Sequence, residues 1–149
     1  MNIVRANTNN LETVAELFDL YRQFYEQPPD LDAARNFIEM RMSRNESVIF
    51  LALNEDGNGM GFVQLYPSFT SVGMRRLWIL NDLFIHHEHR RKGVGESLLE
   101  KCRDFSIETE ASGLILETRN SNRQARALYE KFGFDFDIYH AYYFFSTSE

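Results

Sequence analysis

Apolar residues recur at helical spacing in four stretches and run almost unbroken through several others. Leu11, Val14, Ala15, Phe18, Tyr21 and Tyr25 share one helical face, with Thr8, Asn9 or Asn10 available as caps and Pro28 and Pro29 as a stop. Ala34, Phe37, Ile38 and Met42 mark a second helix over residues 32–43. Leu98, Leu99, Cys102, Phe105 and Ser106 mark a third over about 93–110. Ala125, Leu128, Tyr129 and Phe132 mark a fourth, opened by a capping box at Ser121-Asn122-Arg123-Gln124 and ended by Gly133.

Between the helices, residues 3–6, 47–53, 60–66, 77–85 and 114–118 read as strands, and 134–139 with 141–145 as two more. Asn54-Glu55-Asp56-Gly57-Asn58-Gly59 predicts a hairpin turn, and residues 67–73 a second turn. The run 77–85 is nearly continuous in apolar character and is expected at the centre of the sheet, interrupted only by Asn81 and Asp82. The order β-α-α-β-β-β-α-β-α-β-β predicts an α/β fold, an α+β mixed sheet. Residues 1–149 are expected to form one domain, without repeats or linkers.

Composition narrows the function. Thirteen Phe and seven Tyr make the expected core aromatic. The single cysteine, Cys102, excludes an intrachain disulfide and reads as core filler. A formal net charge of -6 argues against a nucleic-acid footprint and suits a cationic substrate. Neither a signal-peptide pattern nor a membrane-length apolar run is visible, so a cytoplasmic location is expected, with no membrane or nucleic-acid partner. His86, His87 and His89 fall at a strand exit and are expected to be solvated, so no metal is expected.

The strongest local chemistry is the stretch Arg90-Arg91-Lys92-Gly93-Val94-Gly95-Glu96, between a strand and a helix. Unpaired N–H groups and the peptide dipoles at a helix start attract anions, and glycines let a phosphate approach the backbone. The spacing is not that of a P-loop, and Leu98 breaks the dinucleotide fingerprint. What remains is R-x-x-G-x-G, which reads as an anion cradle at a helix start or as an ordinary surface turn.

One strand further on stands Asn122-x-x-Ala125-x-x-x-Tyr129-x-x-x-Gly133-Phe134. The two motifs together resemble the paired signature of the GCN5-related N-acetyltransferase (GNAT) superfamily, and the element order fits that family along essentially the whole chain. The segment 80–85 and Gly61-Phe62-Val63 resemble more narrowly the spermidine/spermine-type amine N-acetyltransferases. Those enzymes tend to carry a carboxylate where this chain has Asn81, a departure that bears on polyamine recognition.

The resemblance implies a fold with a splayed central sheet and acetyl-CoA as co-substrate. It implies that Arg90, Arg91, Lys92, Gly93, Val94, Gly95 and Glu96 hold the pyrophosphate, that Leu83, Phe84 and Ile85 pair with the pantetheine arm, and that Asn122, Ala125 and Tyr129 complete the cofactor site. The implied chemistry is direct attack of a primary amine on the thioester through a tetrahedral intermediate. A backbone N–H near Phe84 would steady the oxyanion. An alkylammonium holds its proton to a pKa of about 10.4, so a base is needed, and Asp82 and Glu117 are the candidates. Tyr129, with a reference pKa of about 10, is the candidate acid for the leaving sulfur.

Tyr21, Tyr25, Glu26, Tyr66 and Asn81 are the candidate acceptor-binding residues, suited to a small cationic amine. A protein lysine or N-terminus is an alternative acceptor. A non-catalytic acyl-CoA sensor is an alternative of another class. A homodimer is a further expectation, with residues 142–145 as one candidate interface.

Overall fold

The computed structural model describes residues 1–148. Its contacts group into two compact units, Met1–Glu117 and Thr118–Glu149.

The first unit is built on a five-stranded sheet in the order β1-β2-β3-β4-β5, formed by β1 (Asn2–Arg5), β2 (Val48–Leu53), β3 (Gly59–Thr70), β4 (Arg75–Ile85) and β5 (Leu114–Ile115). The first four strands are antiparallel to their neighbours, and β5 joins β4 in parallel, so the sheet is mixed. Helices α1 (Leu11–Phe24) and α2 (Leu31–Ser43) lie between β1 and β2 in sequence. Val14, Leu17 and Phe18 of α1, with Ala34 and Ile38 of α2, close over Ile49, Leu51, Phe62 and Phe84 on one sheet face. Helix α3 (Val94–Glu108) packs on the other face: Phe105 meets Phe50 at 5.4 Å and Trp78 at 5.0 Å between ring centroids. Two helices on one face and one on the other bury the two sets of alternating strand residues.

Local signals explain most boundaries. The Asp30 carboxylate accepts from the Ala33 N–H and starts α2 just after the two prolines. Asn10, one of the expected caps, stands at the N-cap of α1, but its side chain accepts from the Asn7 N–H, and Asn7 in turn caps the one-turn 3-10 helix that leads into α1. Strand β3 does not end at Tyr66 as expected. Its ladder runs through Pro67, opposite Trp78, to Thr70, because the fixed φ of proline fits extended backbone.

The register of β3 against β4 shifts once. Gln64 faces Asp82 while Leu65 faces Leu80, so Asn81 is an extra residue bulging from β4. The bulge reverses which face the following side chains occupy. Trp78 lies on the α3 side, whereas Phe84 joins the cluster under α1 and α2. Asp82, in phase with Phe84, is carried to the α1 side. The β4–β5 ladder has only two pairs, Trp78 with Leu114 and Ile79 with Ile115. Beyond Ile79, β4 continues to Ile85 with no β5 partner among the described residues.

The second unit contains α4 (Arg123–Phe132), capped by the Asn122 side chain rather than by Ser121, and ended at Gly133 with φ +120°. The two final strands expected over 134–139 and 141–145 are not formed, and β5 is two residues long instead of reaching 118. Phe and Tyr give these segments strand propensity, but a strand also needs a neighbouring backbone to bond. No ladder reaches residues 134–148. No helix of the described residues is long and apolar enough to cross a membrane.

Candidate active site

The bulge at Asn81 brings five polar side chains together at the edge of the α1-side core. Asp82 is 4% exposed and Gln64, opposite it on β3, is fully buried. The Gln64 amide donates to Asp82 Oδ2 at 2.6 Å and to the Tyr66 hydroxyl at 3.2 Å. Asn81 donates to Asp82 Oδ1 at 3.1 Å, and the Tyr21 hydroxyl bonds the same carboxylate. Burial pushes the Asp82 carboxyl above its ordinary value, and the bonds from Gln64, Tyr21 and Asn81 draw it part of the way back. Burial, and then the neighbouring Asp82 charge, push the Tyr66 phenol up to about 12, so it keeps its proton at neutral pH.

Gln64 is a site residue that the motifs do not reveal. Its signal was a polar residue in the middle of the buried run 60–65. One of its atoms has consequences: the amide nitrogen must face the carboxylate, which leaves Oε1 buried without a hydrogen-bond partner. An orphaned buried acceptor costs about 1–3 kcal/mol.

The side chains beside this cluster are aromatic. The Tyr21 ring lies edge-on to Phe62 at 6.0 Å, to Phe84 at 6.2 Å and to Tyr25 at 5.1 Å. Buried Asp19 holds the loop below Tyr25. It accepts from Arg22 at 2.7 Å, from Gln23 at 3.3 Å and from the Asp30 N–H at 3.1 Å. Glu26 is exposed with φ +64°, and its backbone N–H bonds the Gln23 carbonyl. Of the two candidate bases, Asp82 sits in the cluster, whereas Glu117 lies beyond β5 and is exposed.

Leu83, Phe84 and Ile85 continue β4 past the end of the β4–β5 ladder. The basic turn follows. Arg90 donates to the Ile85 carbonyl at 3.1 Å and lies over the rings of Phe24 and Phe84. Arg91 and Gly93 both have left-handed backbones, with φ of +62° and +78°. Arg91, Lys92, Gly93 and Glu96 are exposed, Val94 is buried and Gly95 is half-buried. A Cβ built on Gly93 would meet nothing within 4 Å, so the space above the turn is open. Open space, free N–H groups at the start of α3 and three cations make a cradle that fits a pyrophosphate.

His87 is exposed as expected, and the other two histidines differ. His86 and His89 are half-buried rather than solvated, and His86, Glu88 and His89 place ligand-type atoms within 4.8 Å of one another. The Glu88 N–H donates to His86 Nδ1. Burial and the adjacent His87 hold the His86 imidazole below its usual value. Cys102 is buried, as expected, and its thiol is pushed up to about 12, so it holds no thiolate at neutral pH.

In the second unit, Asn122 Oδ1 accepts from the Ala125 N–H at 3.2 Å, so the implied cofactor ligand is at least a helix cap. Tyr129 is the buried residue of α4, with its ring 5.6 Å from Phe134.

The Acetyltransferase (GNAT) family pattern matches residues 12–134. An uncharacterized N-acetyltransferase of Bacillus subtilis (strain 168), YhfO, is 44% identical over 143 residues, 96% of this chain and 95% of that protein. A probable acetyltransferase of Haemophilus influenzae is 32% identical over 117 residues, 78% of this chain and 80% of its own length. The crystal structure of a probable acetyltransferase, 39% identical, matches with a TM-score of 0.95 over 100% of this chain and 99% of that one. With the family pattern running from α1 to just past α4, this chain belongs to the GNAT family of acetyltransferases.

Proposed function

We propose that the protein transfers an acetyl group from acetyl-CoA to a small cationic primary amine, with Asp82 as the base. The observation that carries this reading is the buried Asp82 carboxylate. It is held by three donors and lies beside an orphaned acceptor, Gln64 Oε1, with the aromatic rings around Tyr21 alongside. Two acceptors at that spot suit a ligand rich in N–H donors. The rings of Tyr21 and Tyr25 add a cation-attracting wall.

The pocket also eases the proton transfer. In water an alkylammonium and an aspartate differ by about six pKa units. Desolvation raises the carboxyl and lowers the ammonium, because both lose charge when the proton moves between them. A buried carboxylate facing an ammonium therefore takes its proton far more readily than a solvated one, leaving the amine lone pair free to attack.

The donor's share of the chemistry is an activated thioester carbonyl. The turn 90–96 fits its pyrophosphate by open space and charge, and β4 beyond Ile79 offers backbone groups to an extended arm, as a strand edge does to an added strand. The family resemblance assigns the leaving-sulfur proton to the Tyr129 hydroxyl.

The test is release of free thiol from acetyl-CoA across a panel of amines: polyamines, aminoglycosides, amino acids and lysine peptides. Efficient turnover of a small polycationic amine is the expected result. Turnover confined to peptides would replace the acceptor assignment. Tight acetyl-CoA binding without turnover on any amine would replace the enzyme by a sensor.

A further inference from the structure

Three side chains that the acetyl-transfer chemistry leaves unused converge at the exit of β4. His86, Glu88 and His89 bring two imidazole nitrogens and a carboxylate oxygen within 4.8 Å of one another. The backbone causes the convergence. The chain turns through a 3-10 helix over His87–His89, with His86 as its N-cap. Such a helix repeats every three residues, so positions three apart share a side. The His86 and His89 rings accordingly stand 5.7 Å apart between centroids. The turn is also pinned. The His86 N–H donates to the Met60 carbonyl on β3 at 2.9 Å, and the His89 N–H donates to the His86 carbonyl at 2.8 Å.

This donor set has capacity to spare. His89 Nδ1 is buried and has no hydrogen-bond partner, although buried ring nitrogens are normally paired. The Glu88 carboxylate is exposed and accepts no hydrogen bond among the described residues. His86 Nδ1 accepts from the Glu88 N–H at 3.2 Å, so that nitrogen carries a lone pair and no proton. The bond is at the long end of the usual range, and a metal ion can take the lone pair in its place. Two imidazoles and one carboxylate are the ligand set of zinc sites that keep a fourth position for water. Bonds of about 2.0–2.2 Å place the ligand atoms of a tetrahedral ion roughly 3.3–3.5 Å apart, so the set must close by about 1.5 Å at most. Rotation of the exposed Glu88 side chain and the two half-buried rings supplies that shift. Magnesium and calcium require six or more oxygen ligands, which this turn does not offer.

We propose that His86, Glu88 and His89 bind a divalent transition-metal ion of the zinc class, which clamps the turn between β4 and the basic cradle. Imidazole nitrogens with a carboxylate suit such borderline ions better than hard cations. The turn leads directly into Arg90, whose Nε donates to the Ile85 carbonyl on the near side of the same turn. An ion joining residues 86, 88 and 89 therefore fixes the segment through which the chain enters the cradle. None of the three ligands belongs to the Asp82 cluster, so ion binding is read independently of acetyl transfer.

The experiment is calorimetric titration of the full chain, free of any affinity tag and of coenzyme, with Zn²⁺ alone and with Co²⁺ alone. One ion per chain is expected, with no binding of Mg²⁺ at the same concentrations. The visible absorption of bound Co²⁺ reports its nitrogen and oxygen ligands, and Zn²⁺ should displace it. Amide exchange across residues 86–90 should slow when Zn²⁺ binds. His89→Gln and Glu88→Gln are each expected to weaken Zn²⁺ binding by about 100-fold or more, because losing a group that only supports a metal ligand already costs about 10–100-fold. His140→Gln, which removes the histidine paired with Asp137, is expected to leave binding unchanged. If His89→Gln fails to fold, Glu88→Gln carries the test, since its side chain is exposed. A wild type without a one-to-one binding step, binding unweakened by either substitution, binding lost in His140→Gln, or exchange across the turn unchanged by Zn²⁺ would each overturn the proposal.

Discussion

Gln64 and Asp82 face each other across the β3–β4 ladder, joined at 2.6 Å by a bond from the Gln64 amide to Asp82 Oδ2. Both are closed off from solvent, and the bulge at Asn81 is what carries the aspartate onto the α1 side with its glutamine. A polar pair in this position weakens an apolar core unless its groups are satisfied. Here one is not: Gln64 Oε1 is buried without a hydrogen-bond partner.

Replacing Asp82 by Asn separates activity from stability. Turnover is expected to fall by about 100-fold or more, the usual contribution of a positioned base. Stability moves the other way at neutral pH. Folding raises the Asp82 carboxyl above its ordinary value of 3.8. Its ionisation therefore opposes the folded state, and stability present below that value is lost as pH rises through the raised one. The difference in Tm between Asp82→Asn and wild type should become more positive from pH 4 to pH 8. A constant difference would show that Asp82 does not titrate in this environment.

Gln64→Leu tests the other half of the pair. The lost bond is one that holds the Asp82 carboxyl down, so its value should rise further and the acid limb of the pH–rate profile should move to higher pH. Part of the lost turnover should return at alkaline pH. A uniform drop at every pH would mean that the glutamine serves packing alone.

The sequence made the cradle and the element order legible because both are local. Gly93, the cations beside it and the helix that follows are contiguous, and so are Asn122 and the helix it caps. The Asp82 pocket was half legible. An aspartate inside an apolar strand stands out, but its pairing with Gln64 depends on a register shift that local pattern does not encode. The final strands misled for the same reason in reverse: residues 134–145 have strand composition, and composition says nothing about where a partner backbone will come from.

Gly93→Glu addresses the cradle. With φ at +78°, any side chain there is strained by about 1–2 kcal/mol, but a Cβ meets no neighbour, so the fold should survive with a modest loss of Tm. A carboxylate over a phosphate site should cost much more in binding than in stability. Calorimetry should show acetyl-CoA affinity lowered at least 100-fold, with Gly93→Ala lowering it far less. Normal affinity in Gly93→Glu would remove the pyrophosphate from this turn.

Tyr129→Phe keeps the ring that packs against Phe134 and deletes only the hydroxyl. If that hydroxyl protonates the leaving sulfur, kcat should fall by about 100-fold while acetyl-CoA affinity stays near wild type. Single-turnover kinetics make chemistry the observed step. An unchanged single-turnover rate would return Tyr129 to a packing role.

Asp19 reaches the site indirectly, through the loop that ends α1. Its carboxylate accepts from Arg22, Gln23 and the Asp30 N–H, and so ties the Pro28–Pro29 segment to the helix that carries Tyr21 and Tyr25. Asp19→Ala leaves the Asp30 N–H without its acceptor and the Arg22 guanidinium without its carboxylate partner. Arg22 is itself partly exposed, so the cost is discounted to about 2–3 kcal/mol. For a chain of this size that corresponds to a fall in Tm of roughly 5–10 °C. Because the loosened loop adjoins Tyr21 and Tyr25 and meets the cradle only where Arg90 lies over Phe24, KM for the amine should rise several-fold and KM for acetyl-CoA by less. Equal rises in both constants would place the loop's influence on the whole first unit instead of on the acceptor pocket.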